Sequence, residues 1–200
     1  MVDEAELLAK FHSEDPRAAL ATLFELYADH LYRLALSIVA DPDMAEDIVQ
    51  ETFLAALTHR QQFEGRSKIS TWLYRIAYNA SHDRLRKKVE EPLPEEEPDP
   101  DDNAPIPLPK ALVEWRWLPE EILANHEARQ ELEKAVNALP ESLRVVFLLR
   151  DIEALSTEET AEATGISEGA VKVRLHRARL ELRERLSGYF AEWPAEKREV

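Results

Sequence analysis

Four cations, Lys172, Arg174, Arg177 and Arg179, fall within one short stretch with no acid between them. Cations grouped in this way hold phosphates, whereas polar groups near a helix start reach base edges in a major groove. Spacing decides which of them face outward. At about 100° per residue, Val171, Leu175, Ala178 and Leu182 share one narrow stripe, the expected buried face. Gly169, Lys172, Val173, His176 and Arg177 lie opposite, with Arg174 and Arg179 on the flanks. This is the layout of a DNA-reading helix, and a solvated basic helix at the end of a bundle is the plainer alternative. His176 alone carries little weight, since a lone histidine is usually ordinary surface.

The residues before this helix are those needed to position it. Ser156 with Glu159 fits a capping box at a helix start. Gly165 sits where a helix end needs a left-handed residue. Ser167 then caps the next helix, with Ile166 and Val171 as its hydrophobic staple. Two helices joined by a three-residue turn make a helix-turn-helix.

A second basic patch lies upstream. Residues 60 to 88 hold eight Lys and Arg against Glu64 and Asp83. The loop there carries Phe63, Arg66 and Lys68, and the following helix places Arg75, Asn79, His82 and Arg86 along one face. Aromatics among cations suit single-stranded or unstacking DNA, and an asparagine amide can pair with a base edge. Trp72, Ile76 and Ala80, or else Leu73 and Ala77, face the core. A third face stands on the preceding helix. There Ala45, Ile48, Val49, Thr52 and Ala56 form the inner stripe, leaving Asp47, Gln50, Glu51 and Leu54 outside. An exposed leucine amid acids and amides suggests a protein interface, against the plainer reading of a solvated face.

The net charge of −15 over 200 residues argues against nucleic acid until its distribution is considered. Residues 89 to 102 contribute eight acids and no base between the two basic patches. Salt screens charge over about 8–10 Å, so a phosphate responds to the nearest patch. No cysteine excludes a disulfide framework and a thiolate metal site, and fits a reducing compartment. With no signal-like start and no apolar run long enough for a bilayer, the chain reads as cytoplasmic, without membrane insertion. No phosphate-binding glycine loop, metal spacing or nucleophile constellation points to catalysis, so no enzyme, cofactor, metal or small-molecule substrate is expected.

The expected fold is all-α, in two small domains. Helices are expected over residues 3 to 12, 17 to 40, 41 to about 60 with Asp41 as cap and Pro42 at the first position, and 71 to about 88. Seven of the twelve prolines fall between Pro92 and Pro109, which makes residues 89–125 an extended acidic linker. Trp115 and Trp117 at its end pack on a neighbouring domain or dock on a partner. Beyond it come a helix near 125 to 139, a break at Pro140, an apolar helix from 141 to about 153, and the helix-turn-helix.

Three motifs in this order, DPDMAEDIVQETFLAAL, FEGRSKISTWLYRIAYNASHDRLRKK and LPESLRVVFLLRDIEALSTEETAEATGISEGAVKVRLHRARLELRERL, resemble the extracytoplasmic-function group of bacterial RNA polymerase sigma factors. The resemblance implies sigma region 2 over 1–88, the acidic linker over 89–125, sigma region 4 over 126–187 and a tail over 188–200. It implies that Asp47, Gln50, Glu51 and Leu54 grip the clamp helices of the polymerase largest subunit, with the flap as a further contact. Phe63, Arg66, Lys68, Arg75, Asn79 and Arg86 would serve the promoter −10 element, where a base is flipped out. Ser167, Lys172, Val173, Arg174, His176, Arg177 and Arg179 would serve the −35 element. An anti-sigma factor is an implied partner beside core polymerase and promoter DNA. In the tail, Tyr189, Phe190 and Trp193 would cap the last helix or touch such an inhibitor. The alternative of another class is an autonomous helix-turn-helix regulator with a sensor domain in front.

Overall fold

A computed structural model describes residues 4–13, 15–88 and 126–191. The expectations for the acidic linker, for Trp115 and Trp117, and for Trp193 fall outside the described residues, as do the side chains of Tyr189 and Phe190. Every described element is a helix or helical turn.

The front half contains α1 (Glu4–Phe11), α2 (Arg17–Val39), α3 (Pro42–His59) and α4 (Ile69–Lys88). Local chemistry sets their ends. Asp41, in extended backbone, accepts from the Met44 amide, and Pro42 follows at the first helical position, where its missing N–H costs nothing. The chain leaves α2 through Ala40 at φ 52°. Helices α2, α3 and α4 pack against one another, and α1 packs on α2. Phe11, Leu23, Leu31, Leu34, Ile48, Ile69 and Leu73 are the largest fully buried side chains among them. The inner stripe of α3 is buried as its spacing required, including Thr52, whose hydroxyl donates to the Ile48 carbonyl at 2.7 Å.

The back half contains α5 (His126–Asn137), α6 (Glu141–Phe147), α7 (Thr157–Thr164) and α8 (Glu168–Ala191). Its core gathers Leu139, Val146, Phe147, Val171, Leu175, Ala178, Leu182 and Leu186. The apolar helix expected to run to about 153 instead changes winding. After Phe147 it continues as a π turn over Leu148–Ile152, in which the Glu153 amide bonds back to the Leu148 carbonyl at 2.9 Å.

That helix is apolar on several sides because it serves two cores. Val146 and Phe147 belong to the back half, whereas Val145, Leu148 and Leu149 join Leu155 and Ala163 in the core of the front half. Helix α6 meets α2, and α7 lies along α4. The two halves are thereby packed together.

Candidate nucleic-acid and polymerase interface

The helix-turn-helix forms as its caps dictate. The Ser156 hydroxyl accepts from the Glu159 amide at 3.0 Å, and the Glu159 carboxylate accepts from the Ser156 amide at 2.6 Å. Gly165, at φ +74°, ends α7 in the left-handed region. The Ser167 hydroxyl accepts from the Ala170 amide at 3.1 Å and starts α8, so this candidate base contact already serves as a cap.

On α8, Val171, Leu175, Ala178 and Leu182 are buried as expected. Lys172 is exposed and pairs with Glu168 one turn back at 3.6 Å, while His176 and Arg177 are half-buried. The outward face is narrower than the spacing suggested. Val173 and Arg174 are buried at 7% and 9% exposure, a correction to the single-stripe expectation. The reason is that α5, α6 and α7 all contact α8, which covers a wider arc of it than one packing partner would. Arg179 is also engaged. Its guanidinium donates to both Asp151 carboxylate oxygens, at 2.9 and 2.6 Å, tying α8 to the π turn. That hydrogen bond, ahead of any cost of burial, holds the Arg179 pKa above its ordinary value.

The upstream patch divides similarly. Arg75, Asn79 and Arg86 are exposed along α4, with Arg86 paired to Asp83. Arg66 is exposed beside Glu64, its ion-pair partner. Phe63 is not available for stacking in this arrangement. It is 5% exposed, with its ring 5.0 Å from that of Trp72, because the loop folds back over the end of α4. Of the two inward sets left open for α4, Leu73 and Ala77 are fully buried, whereas Trp72, Ile76 and Ala80 pack at the edge of the core.

On α3, Asp47, Gln50, Glu51 and Leu54 are all exposed, Leu54 at 65%. Glu51 is engaged by Arg84 of α4, and Asp47 adds to the negative field there, both raising the Arg84 pKa. Phe24 of α2 is 48% exposed, its ring 5.0 Å from that of Phe53 on α3.

One group of residues has no counterpart in the sequence reading. The Glu153 side chain, 1% exposed, meets His30 and Arg33 of α2 and Tyr74 of α4. Arg33 donates through Nε at 3.1 Å and Nη2 at 2.9 Å, and the Tyr74 hydroxyl donates at 2.8 Å. Burial first, then the Glu153 charge, pushes the Tyr74 pKa far up, so it stays a donor. Lys68 pairs with Glu159 at 2.8 Å, His82 lies 3.5 Å from Glu141, and Arg144 Nε donates to the Ser37 carbonyl at 2.9 Å. Glu153 and His30 are 123 positions apart, so no local pattern announces them. His30 and Arg33 stand on α2 among other polar residues, Glu25 and Asp29, so their types give no signal either.

Among the described residues no group of acids and histidines is arranged to hold a metal ion, and no helix is long and apolar enough to cross a membrane. The sequence matches Sigma-70 region 2 over residues 23–90 and Sigma-70, region 4 over residues 129–182. It is 34% identical to the ECF RNA polymerase sigma factor SigW of Bacillus subtilis, over 84% of this chain and 89% of that protein. It is 32% identical to the ECF RNA polymerase sigma factor SigE of Mycolicibacterium smegmatis, over 95% of this chain and 71% of that protein. In structure it resembles the sigma factor RpoE of Bartonella quintana, solved with the anti-sigma factor NepR, with a TM-score of 0.59 and 25% identity, covering 84% of this chain and 96% of that one. Its fold is also shared with CnrH, solved with the cytosolic domain of CnrY, at a TM-score of 0.60 and 23% identity over 92% and 97% of the two chains. The front half thus matches a sigma region where an autonomous regulator would carry a sensor. The chain belongs to the extracytoplasmic-function sigma factors, which bind core RNA polymerase and direct promoter-specific initiation.

Proposed function

We propose that the chain carries out this role in the bacterial cytoplasm with three surfaces on three helices. The Asp47, Gln50, Glu51 and Leu54 face of α3 takes the clamp helices of the polymerase largest subunit, and region 4 takes the flap. The loop cations Arg66 and Lys68, with Arg75, Asn79 and Arg86 of α4, serve the −10 element, and Phe63 supports that loop from beneath. Lys172, His176 and Arg177 serve the −35 element, with Ser167 at the helix start. Val173, Arg174 and Arg179 contribute there chiefly by setting the pose of α8.

The observation that carries this reading is the separation of the surfaces. Exposed cations stand on α4 and α8, while the exposed acid-amide face with its bare leucine stands on α3. Phosphate contacts position a protein on a duplex and base contacts specify sequence, so two basic surfaces suit two promoter elements. The anti-sigma factor NepR bound to the structural relative RpoE makes a similar inhibitor a candidate partner for this chain.

Run-off transcription with purified core polymerase tests the assignment. Addition of the chain is expected to yield discrete transcripts from its promoters, and failure to bind core polymerase sinks it.

A further inference from the structure

We propose that Glu153 is an intramolecular latch, a region 4 carboxylate seated in a socket of region 2 that holds the free chain in a closed form unable to engage both promoter elements. This rests on the DNA-binding roles assigned above.

The socket is built from two helices. His30 and Arg33 stand one turn apart on α2, and Tyr74 reaches in from α4. A buried carboxylate is tolerable only when paired and hydrogen-bonded, and the Glu153 carboxylate finds His30, Arg33 and Tyr74 in the other half of the protein. The backbone beside it is held in a rare conformation. Ala154 adopts φ 56°, a left-handed pose disfavoured for a residue with a Cβ, just where the chain turns from the π turn toward α7.

The closed form conflicts with DNA. Glu159 occupies Lys68, a cation of the −10 loop, and Glu141 lies against His82 on α4. The Glu159 carboxylate thus neutralises a cation assigned to strand phosphates, and two anions compete for that one charge.

The interface also has the composition of one that separates. Its apolar part is Val145, Leu148, Leu149, Leu155 and Ala163 against the α2–α4 core. Its rim is polar, with the His30 and Arg33 side chains each 43% exposed, as in contacts between domains that come apart. Arg144 reaches across to the neutral Ser37 carbonyl, and burial lowers its pKa, so the closed form carries a partly desolvated cation.

The chain has no cysteine, so paired labels can be placed without background. Spin labels at Glu25→Cys on α2 and Glu184→Cys on α8, both exposed, report the separation of the halves in the full chain. Wild type is expected to give one short, narrow distance distribution. Glu153→Ala, and independently Arg33→Ala, should raise the long-distance population roughly tenfold or more with helix content unchanged. The same variants should reach half-maximal run-off transcription at a lower chain concentration. An unchanged distance distribution in both variants overturns the latch, and opening with no change in that concentration overturns its inhibitory role. If wild type yields no promoter-specific transcript, the assignment of the DNA surfaces fails instead, and the distances still decide whether Glu153 holds the halves together.

Discussion

Arg177 and Arg179 are neighbours in sequence with different employment. Arg179 is bound to Asp151 by two hydrogen bonds and fastens α8 to the π turn. Arg177 is half-buried on the face assigned to DNA. Replacing Arg177 with Ala is therefore expected to weaken −35 element binding by about 1–3 kcal/mol while leaving core affinity intact, as read by promoter titration and polymerase binding. Asp47→Arg should do the reverse, lowering core affinity without unfolding α3. Glu159 adds a dependence on pH. The hydrogen bond from Lys68, followed by that from the Ser156 amide, lowers its carboxyl pKa. Because the folded value lies below the unfolded one of about 4.3, this contribution is complete above that pH. It disappears as pH falls through the lower folded value. Urea titrations from neutral to strongly acid pH should show Glu159→Gln less stable than wild type at neutral pH, with the gap closing below about pH 4.3.

Among the elements, the ends of helices were the most legible feature. The Asp41 and Ser156 caps, Pro42 and Gly165 act on neighbours within a few residues, so their meaning does not depend on the rest of the fold. Gly165→Ala should cost about 1–2 kcal/mol in a thermal or urea melt, because a Cβ at φ +74° is strained even though no atom stands near it. Ala40→Gly should move stability the other way or leave it level, since Ala40 already pays that strain at φ 52°. Helix faces were legible only in part. The α3 stripe is buried as spaced, between α2 and α4. The α8 stripe failed at Val173 and Arg174 because three helices surround it. The π turn left no mark in the apolar run RVVFLLRDI, since periodicity cannot reveal a change in winding that packing imposes.

For the molecule as a whole, the decisive element is α6 with the π turn that follows it, whose residues are shared between two cores. Leu149 is fully buried on the side of region 2. Leu149→Ala is expected to cost about 2–5 kcal/mol and to loosen both halves, visible as faster amide hydrogen exchange in α2 and α4 as well as α6. The sequence by itself determined the helices, their caps, the two basic patches separated by an acidic stretch, and the family, because each is written in neighbouring residues and their period. Only the tertiary structure decided that Lys68 faces Glu159, that Phe63 is turned inward, and that Glu153 is buried among His30, Arg33 and Tyr74. Those contacts join residues far apart along the chain, and their partners are chosen by how the two halves pack, which no local spacing encodes.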